Sequence, residues 1–182
     1  MPTNTQTQLP HCLTIGHSTH SAEELIALLQ ANQVNMLVDV RTMPRSRHNP
    51  QFNRDALPAT LAAAGIDYRH CQALGGLRKP RPDSPNDGWR NTSFRGYADY
   101  MQTAEFEAAF EQLVALADDY RIALMCAEAV PWRCHRSLIA DVLAARGASV
   151  AHIIGNKTQP HRLTSFAVLE GKRVTYPFSL QG

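Results

Sequence analysis

From position 126 the chain reads Cys-Ala-Glu-Ala-Val-Pro-Trp-Arg-Cys-His-Arg, so two thiols, a carboxylate, an imidazole and two guanidiniums fall within one short stretch ending at Arg136. Thiolates are nucleophiles, and a thiol beside a cation or at the start of a helix ionises more readily than one in water. Cys126 and Cys134 are therefore candidate nucleophiles, Cys134 gaining most from the helix start, with Glu128 or His135 carrying the proton. Simple burial is the other reading of Cys126, because free cysteine packs as a small apolar side chain. Cys12 and Cys71 sit outside any electropositive turn and read as core. With His17 added, the same side chains include metal-ligand types. The seven-residue gap between the two cysteines, followed at once by His, matches no tight zinc spacing, so neither metal nor cofactor is expected.

Other reactive groups lie far off in sequence: His17-Ser18, Asp39-Val40-Arg41 with Arg45-Ser46 behind it, and His152. Arginine binds phosphate and carboxylate through two parallel hydrogen bonds, so Arg41, Arg45 and Arg136 are candidates for holding an anion. Asp39 either orients Arg41 or a histidine, or forms a purely structural ion pair. His17 and His152 read equally as hydrogen-bonded structural imidazoles or as proton carriers.

Only the elements between these groups can bring them together, and two periodicities alternate along the chain. Short apolar runs at 12–15, 36–40, 122–126 and 149–154, together with the segment 66–70, read as strands, those at 36–40 and 122–126 as buried ones. Between them, Ser21 with Glu24 three residues on opens a helix with an apolar stripe at Leu25, Ile26, Leu28 and Leu29. A second helix is expected from an Asp55 cap, with Pro58 in its first turn and Gly65 at its end. A third is expected over 95–118, carrying Phe106, Phe110, Leu113 and Ala117, and a fourth carries Leu138, Ile139, Val142 and Leu143 and stops at Gly147. Residues 74–92, dense in Gly, Pro and Asp, read as a mobile flap, and 164–177 as a hairpin turning at Glu170-Gly171. Such alternation implies an α/β, three-layer fold with a central, mostly parallel sheet and helices on both faces. Ligands of open sheets sit beyond the carboxyl ends of the strands, where all the reactive residues above fall.

At 182 residues, 44% apolar and 19% charged, the chain has the composition of one globular domain, with a core over about 12–177 and flexible tails at 1–11 and 178–182. It contains no apolar run long enough for a membrane span, and its first twelve residues are polar where a secretory signal would be apolar, so a cytoplasmic protein with reduced thiols and no membrane partner is expected. The net charge of +2 hides an asymmetry, for residues 41–95 hold ten basic residues against four acidic ones. This favours an anionic small molecule or nucleotide-like ligand. It also leaves room for nucleic acid, with Trp89, Phe94 and Tyr97 as stacking faces, although an arginine excess can equally reflect nucleotide composition.

Thr14-Ile15-Gly16-His17-Ser18-Thr19, Asp39-Val40-Arg41 followed by Pro44 and Ser46, Leu74-Gly75-Gly76, Tyr97 with Tyr100-Met101, and Leu124 through Glu128 with Pro131 and Cys134-His135-Arg136 together resemble the uncharacterised bacterial family catalogued as domain of unknown function 488. The likeness extends from Cys12 to Pro177 and implies a compact α/β fold without naming a substrate. On it Gly75, Gly76 and Tyr97 join the anion-binding candidates. In layout, a strand ending in Cys126, an arginine-bearing turn and a helix are also similar to the rhodanese and phosphatase type of active-site loop. That loop places its arginine six residues after the cysteine, whereas Arg133 follows Cys126 by seven. The functional expectation is an enzyme, a thiol-dependent transferase or hydrolase, with nucleic-acid binding or processing and a non-catalytic ligand sensor as alternatives. How many chains assemble is not legible.

Overall fold

A strand that is apolar at every position is buried whichever way its side chains point, so it needs cover on both faces. The computed structural model describes residues 12–178 and gives such strands that cover. β1 (Cys12–Gly16), β2 (Met36–Asp39), β3 (Asp67–His70), β4 (Ile122–Cys126) and β5 (Val150–Ile154) form a parallel sheet in the order β3-β2-β4-β1-β5, and β6 (Lys157–Pro160) adds an antiparallel edge beside β5. The helices are α1 (Ala22–Ala31), α2 (Leu57–Ala63), α3 (Thr92–Tyr100), α4 (Ala104–Asp119) and α5 (Arg136–Ala145). From β1 the chain first travels one way along the sheet, through β2 to β3, and then returns through β4 to β5. Right-handed crossovers put helices of opposite travel on opposite faces.

The two cores bear this out. Leu13, Ile15, Leu37, Ala123 and Met125 pack with Leu25 and Leu29 of α1 and Leu57 and Leu61 of α2. The alternate positions Cys12, Met36, Val38, Ile122, Leu124 and Cys126 pack with Tyr97, Phe106, Phe110, Leu138 and Ile139 of α3, α4 and α5. The register levels the carboxyl ends, Gly16 lying opposite Cys126, and Asp39 opposite both Met125 and His70. Every strand end considered above therefore opens on the same edge.

Local signals set most boundaries. Ser21 accepts the Glu24 amide at 3.1 Å, although Glu24 turns its carboxylate to His20 Nδ1 at 3.0 Å rather than closing a reciprocal box. Gly65 and Gly147 end α2 and α5 in the left-handed region, and the 164–177 hairpin forms from β7 (Val168–Glu170) and β8 (Arg173–Thr175), with Gly171 at φ 61°.

Three expectations are corrected. Asp55 is not the cap of α2; Ala56 occupies that position with no side-chain hydrogen bond, and Pro58 alone marks the first turn. The expected helix over 95–118 is two helices, because the Thr103 side chain accepts the Phe106 amide and restarts the chain as α4. The expected flap is irregular but tethered. Asp99 of α3, 4% exposed, accepts the Arg81 amide (2.8 Å), the Ser84 hydroxyl (2.6 Å) and the Asn86 amide group (2.7 Å), and Asn86 is itself fully buried. β6 was not anticipated, since 157–160 is exposed and polar. The expected tails lie outside the described residues except for Phe178, whose amide donates to Asp87 at 2.8 Å. No described helix is long and apolar enough to cross a membrane.

Removing the Asp99 carboxylate strands three donors, so Asp99→Ala costs about 3 kcal/mol in urea unfolding and exposes the 79–91 segment to limited proteolysis while circular dichroism of the sheet is retained.

Candidate functional site

Arg136, the first residue of α5, is fully buried. A full charge is tolerated inside a protein only when its donors are matched, and here they are. Nε donates to Thr14 Oγ1 (3.2 Å) on β1, Nη1 to Cys126 Sγ (2.6 Å) and to the Glu128 carbonyl (2.7 Å), and Nη2 to the Ala129 carbonyl (3.4 Å). Burial alone would push the Cys126 thiol up. The hydrogen bond from Cys134, the Arg136 charge and the Glu128 backbone outweigh it and bring Cys126 down to about 7. Cys134 moves the other way, raised by burial and by its contact with Cys126, although the Arg136 amide (3.5 Å) and the His135 Nδ1 (3.6 Å) also approach its sulfur. The sequence favoured Cys134 for its place at the helix start; the side chain of Arg136 reaches past it to Cys126. Burial pushes Cys12 up to about 12 and raises Cys71 as well.

His135 is neutral. Its Nε2 donates to the Val40 carbonyl at 2.8 Å, and burial draws its pKa down to about 4, so it supplies no cation to either thiol. Tyr97 packs against its ring at 4.9 Å and gives its own hydroxyl to the Leu74 carbonyl (2.8 Å). A Cβ on Gly76 would lie 3.1 Å from the His135 ring, and one on Gly75 would lie 2.8 Å from Thr42 Cα, so both glycines allow close approach of the 74–76 turn. These contacts hold the floor of a cavity of about 440 Å³, lined by Cys126, Cys134, His135, Tyr97 and Gly76, by Met43, Leu77 and Phe94 on its apolar walls, and by Arg41, Arg133 and Glu128.

Asp39 is fully buried and grips Arg41 with both oxygens, Nε to Oδ1 at 2.9 Å and Nη2 to Oδ2 at 2.7 Å, while Tyr68 donates to Oδ2 at 2.5 Å. Arg41 Nη2 also reaches the Phe52 carbonyl (2.7 Å), and Nη1 points to His17 Nε2 (3.3 Å). That leaves His17 Nδ1 to donate to the Ser18 carbonyl (2.9 Å), the tautomer of a neutral ring, and burial lowers its pKa in agreement. His17, Ser18, Arg45 and Ser46 line a second hollow of about 460 Å³, which shares Arg41, Met43 and Glu128 with the first. Ser18 holds a positive φ of 46° there, and Ser46 Oγ accepts the amides of His48 and Asn49. His17, Asp39 and Cys126 thus meet across two adjoining hollows joined at Arg41.

Two sequence-based roles change. Arg136 does not line either hollow and is a counter-charge for Cys126 rather than an open anion site; the exposed guanidinium at the cavity is Arg133. Of the three aromatic faces considered for nucleic acid, Tyr97 is buried and Trp89 is stacked among Phe94, Phe166 and Tyr176, leaving Phe94 at the cavity wall. The phosphatase-like layout is met by the strand, turn and helix, but the arginine on the sulfur comes from α5 and not from the loop.

Behind Arg136 runs a hydrogen-bonded chain that the sequence did not disclose. Thr14 accepts from Arg136 and so donates to His152 Nδ1 (2.6 Å); His152 Nε2 then donates to His161 Nδ1 (2.8 Å), and His161 Nε2 to Asp141 (2.8 Å). Thr164 and Tyr176 hydroxyls complete the carboxylate, each at 2.7 Å. His152 stands opposite Thr14 in the β1–β5 register, and burial and His161 bring it down to about 3. The two rings therefore fix Thr14 on Arg136. The one signal available beforehand was the unexplained His152 on an apolar strand. Among the described residues, no group of three or more His, Cys, Asp and Glu side chains is placed to hold a metal.

In comparisons with known proteins, a family model described as Domain of unknown function DUF488 matches residues 21–143, more than half of the chain. The match spans Asp39, Arg41 and the whole turn from Cys126 to Arg136, and leaves β1 and β5 outside. Neither curated proteins nor solved structures give a match.

Arg136→Lys keeps a positive charge but not the fork that serves sulfur, threonine and carbonyls together, so the Cys126 thiol rises by about one pKa unit and its alkylation at pH 7 slows about fivefold, read from a pH–rate profile of the folded variant. Histidines held neutral below their unfolded pKa cost stability as pH falls. The unfolded chain takes up protons below about 6.5 while His135 and His152 do not, so the urea midpoint drops between about pH 6.5 and 4.

Proposed function

Given that the chain belongs to the family described as Domain of unknown function DUF488, we propose that it is a thiol-dependent enzyme, a transferase or hydrolase, whose nucleophile Cys126 attacks an anionic small-molecule or nucleotide-like substrate. One observation carries the reading: a sulfur at the floor of a cavity receives a hydrogen bond from a fully buried guanidinium. An ion pair of that kind holds the thiolate ready at neutral pH in a site sheltered from water.

The cavity suits such a substrate. Arg133 at the rim and the inner edge of Arg41 meet its anionic group, Met43, Leu77 and Phe94 its apolar part, and Arg45 in the adjoining hollow a second charge. Asp39 holds Arg41 in place through its two-pronged contact, a positioning role. Glu128, exposed where the hollows join, is the group for proton transfer to the leaving atom, since His135 Nε2 is committed to Val40. A cytosolic setting would keep the four free thiols reduced. Nucleic-acid binding is the weaker reading, with Tyr97 buried and Trp89 packed against Phe94, Phe166 and Tyr176.

Alkylation tests the proposal. Iodoacetamide is expected to modify Cys126 with a half-maximal rate near pH 7, leaving Cys12 inert and Cys71 slow, and inorganic phosphate or AMP is expected to shield Cys126 in the wild type but much less in Arg133→Ala. Equal, slow labelling of all four cysteines would overturn it.

A further inference from the structure

The nucleophile has a thiol neighbour that nucleophilic attack does not require. Cys134 lines the same cavity as Cys126, and Arg136 touches both sulfurs, through its guanidinium at 2.6 Å and its amide at 3.5 Å. The nearness of Cys134 also helps to lower the Cys126 thiol. Cys12, by contrast, gives its thiol to the Leu13 carbonyl inside the sheet, and Cys71 stands at the start of a 3₁₀ turn after β3. A loop of seven residues joins the pair. Residues 127–129 are exposed, and Cys134 takes an extended conformation (φ −136°, ψ 146°) just after the 3₁₀ turn at Pro131–Arg133.

We propose that Cys126 and Cys134 close into a reversible disulfide, a redox latch on the active site, with a small-molecule disulfide such as oxidised glutathione as the oxidant. The latch rests on the reactivity of Cys126 described above. The Cys126 thiolate attacks one sulfur of the oxidant, the sulfur–sulfur bond breaks, and one glutathione thiolate leaves, taking a proton from solvent. The Cys134 proton passes through the cavity that this residue lines to the second glutathione as it departs. The Cys134 sulfur attacks Cys126 Sγ and expels that glutathione. Two protein thiols are oxidised and one disulfide is reduced to two thiols. The product has no nucleophile, and its bond ties the loop after β4 to the start of α5.

The test uses the full, reduced chain equilibrated in glutathione redox buffers at neutral pH, quenched with acid, alkylated and mapped by mass spectrometry. The expected result is the joint loss of two thiols per chain, a linked Cys126–Cys134 peptide, full reversal by dithiothreitol, and untouched Cys12 and Cys71. Cys134→Ser is expected to stop halfway, with a stable glutathione adduct on Cys126, and Cys126→Ser to take up little glutathione at Cys134. A wild type that accumulates the Cys126 adduct with no linked peptide overturns the latch, as does pairing through Cys12 or Cys71. Should Cys134→Ser not fold, the wild-type peptide map decides alone. The two proposals fail separately: shielding of Cys126 by phosphate without a linked peptide removes only the latch, and a linked peptide without shielding removes only the substrate reading.

Discussion

The buried guanidinium of Arg136 is the constraint around which this edge of the molecule is organised. A charge with no solvent contact must have its donors met by the protein, or folding loses several kcal/mol. Meeting them takes a hydroxyl from β1, a sulfur from the end of β4 and two carbonyls from the turn that follows, so one side chain of α5 sets the relative placement of three elements. The chemistry comes from the same requirement. Oxygen acceptors alone would leave the charge without a counter-ion; in the function proposed above, an ionised sulfur at Cys126 supplies one.

Around this centre the polar groups form two orderly sets, each anchored by a buried carboxylate. Asp141 anchors the set behind Arg136, in which each ring nitrogen has one partner and one proton direction. Asp39 anchors the set in front and presents Arg41 at the wall common to both hollows. Networks satisfied this fully resist reorientation, which suits a site meant to be in place before its ligand arrives.

Much of this was legible in the sequence and some was not, for physical reasons. Strands β1, β2, β4 and β5 could be read because consecutive apolar residues have few other uses, and with them came the sheet and the edge on which reactive residues collect. The split between α3 and α4 was hidden because residues on both sides keep a helical apolar spacing and only the Thr103 side chain breaks it. The choice between Cys126 and Cys134 stayed open in the sequence because proximity places Arg136 beside Cys134, whereas the long arginine side chain delivers its charge to a residue ten positions back. The links from Asp141 to Thr14 join residues on separate elements, and no local pattern announces them.

Gly16 bears on how such a site could be altered. A Cβ at this position would fall 1.6 Å from the Glu128 carbonyl oxygen, one of the acceptors of Arg136. Here β1 and the turn after β4 are fitted backbone to backbone, with no room for even one methyl group. Variation in what the cavity accepts, in nature or by design, is therefore denied to the inner seam and pushed outward to Met43 and Leu77, cavity-wall side chains that stand open to water.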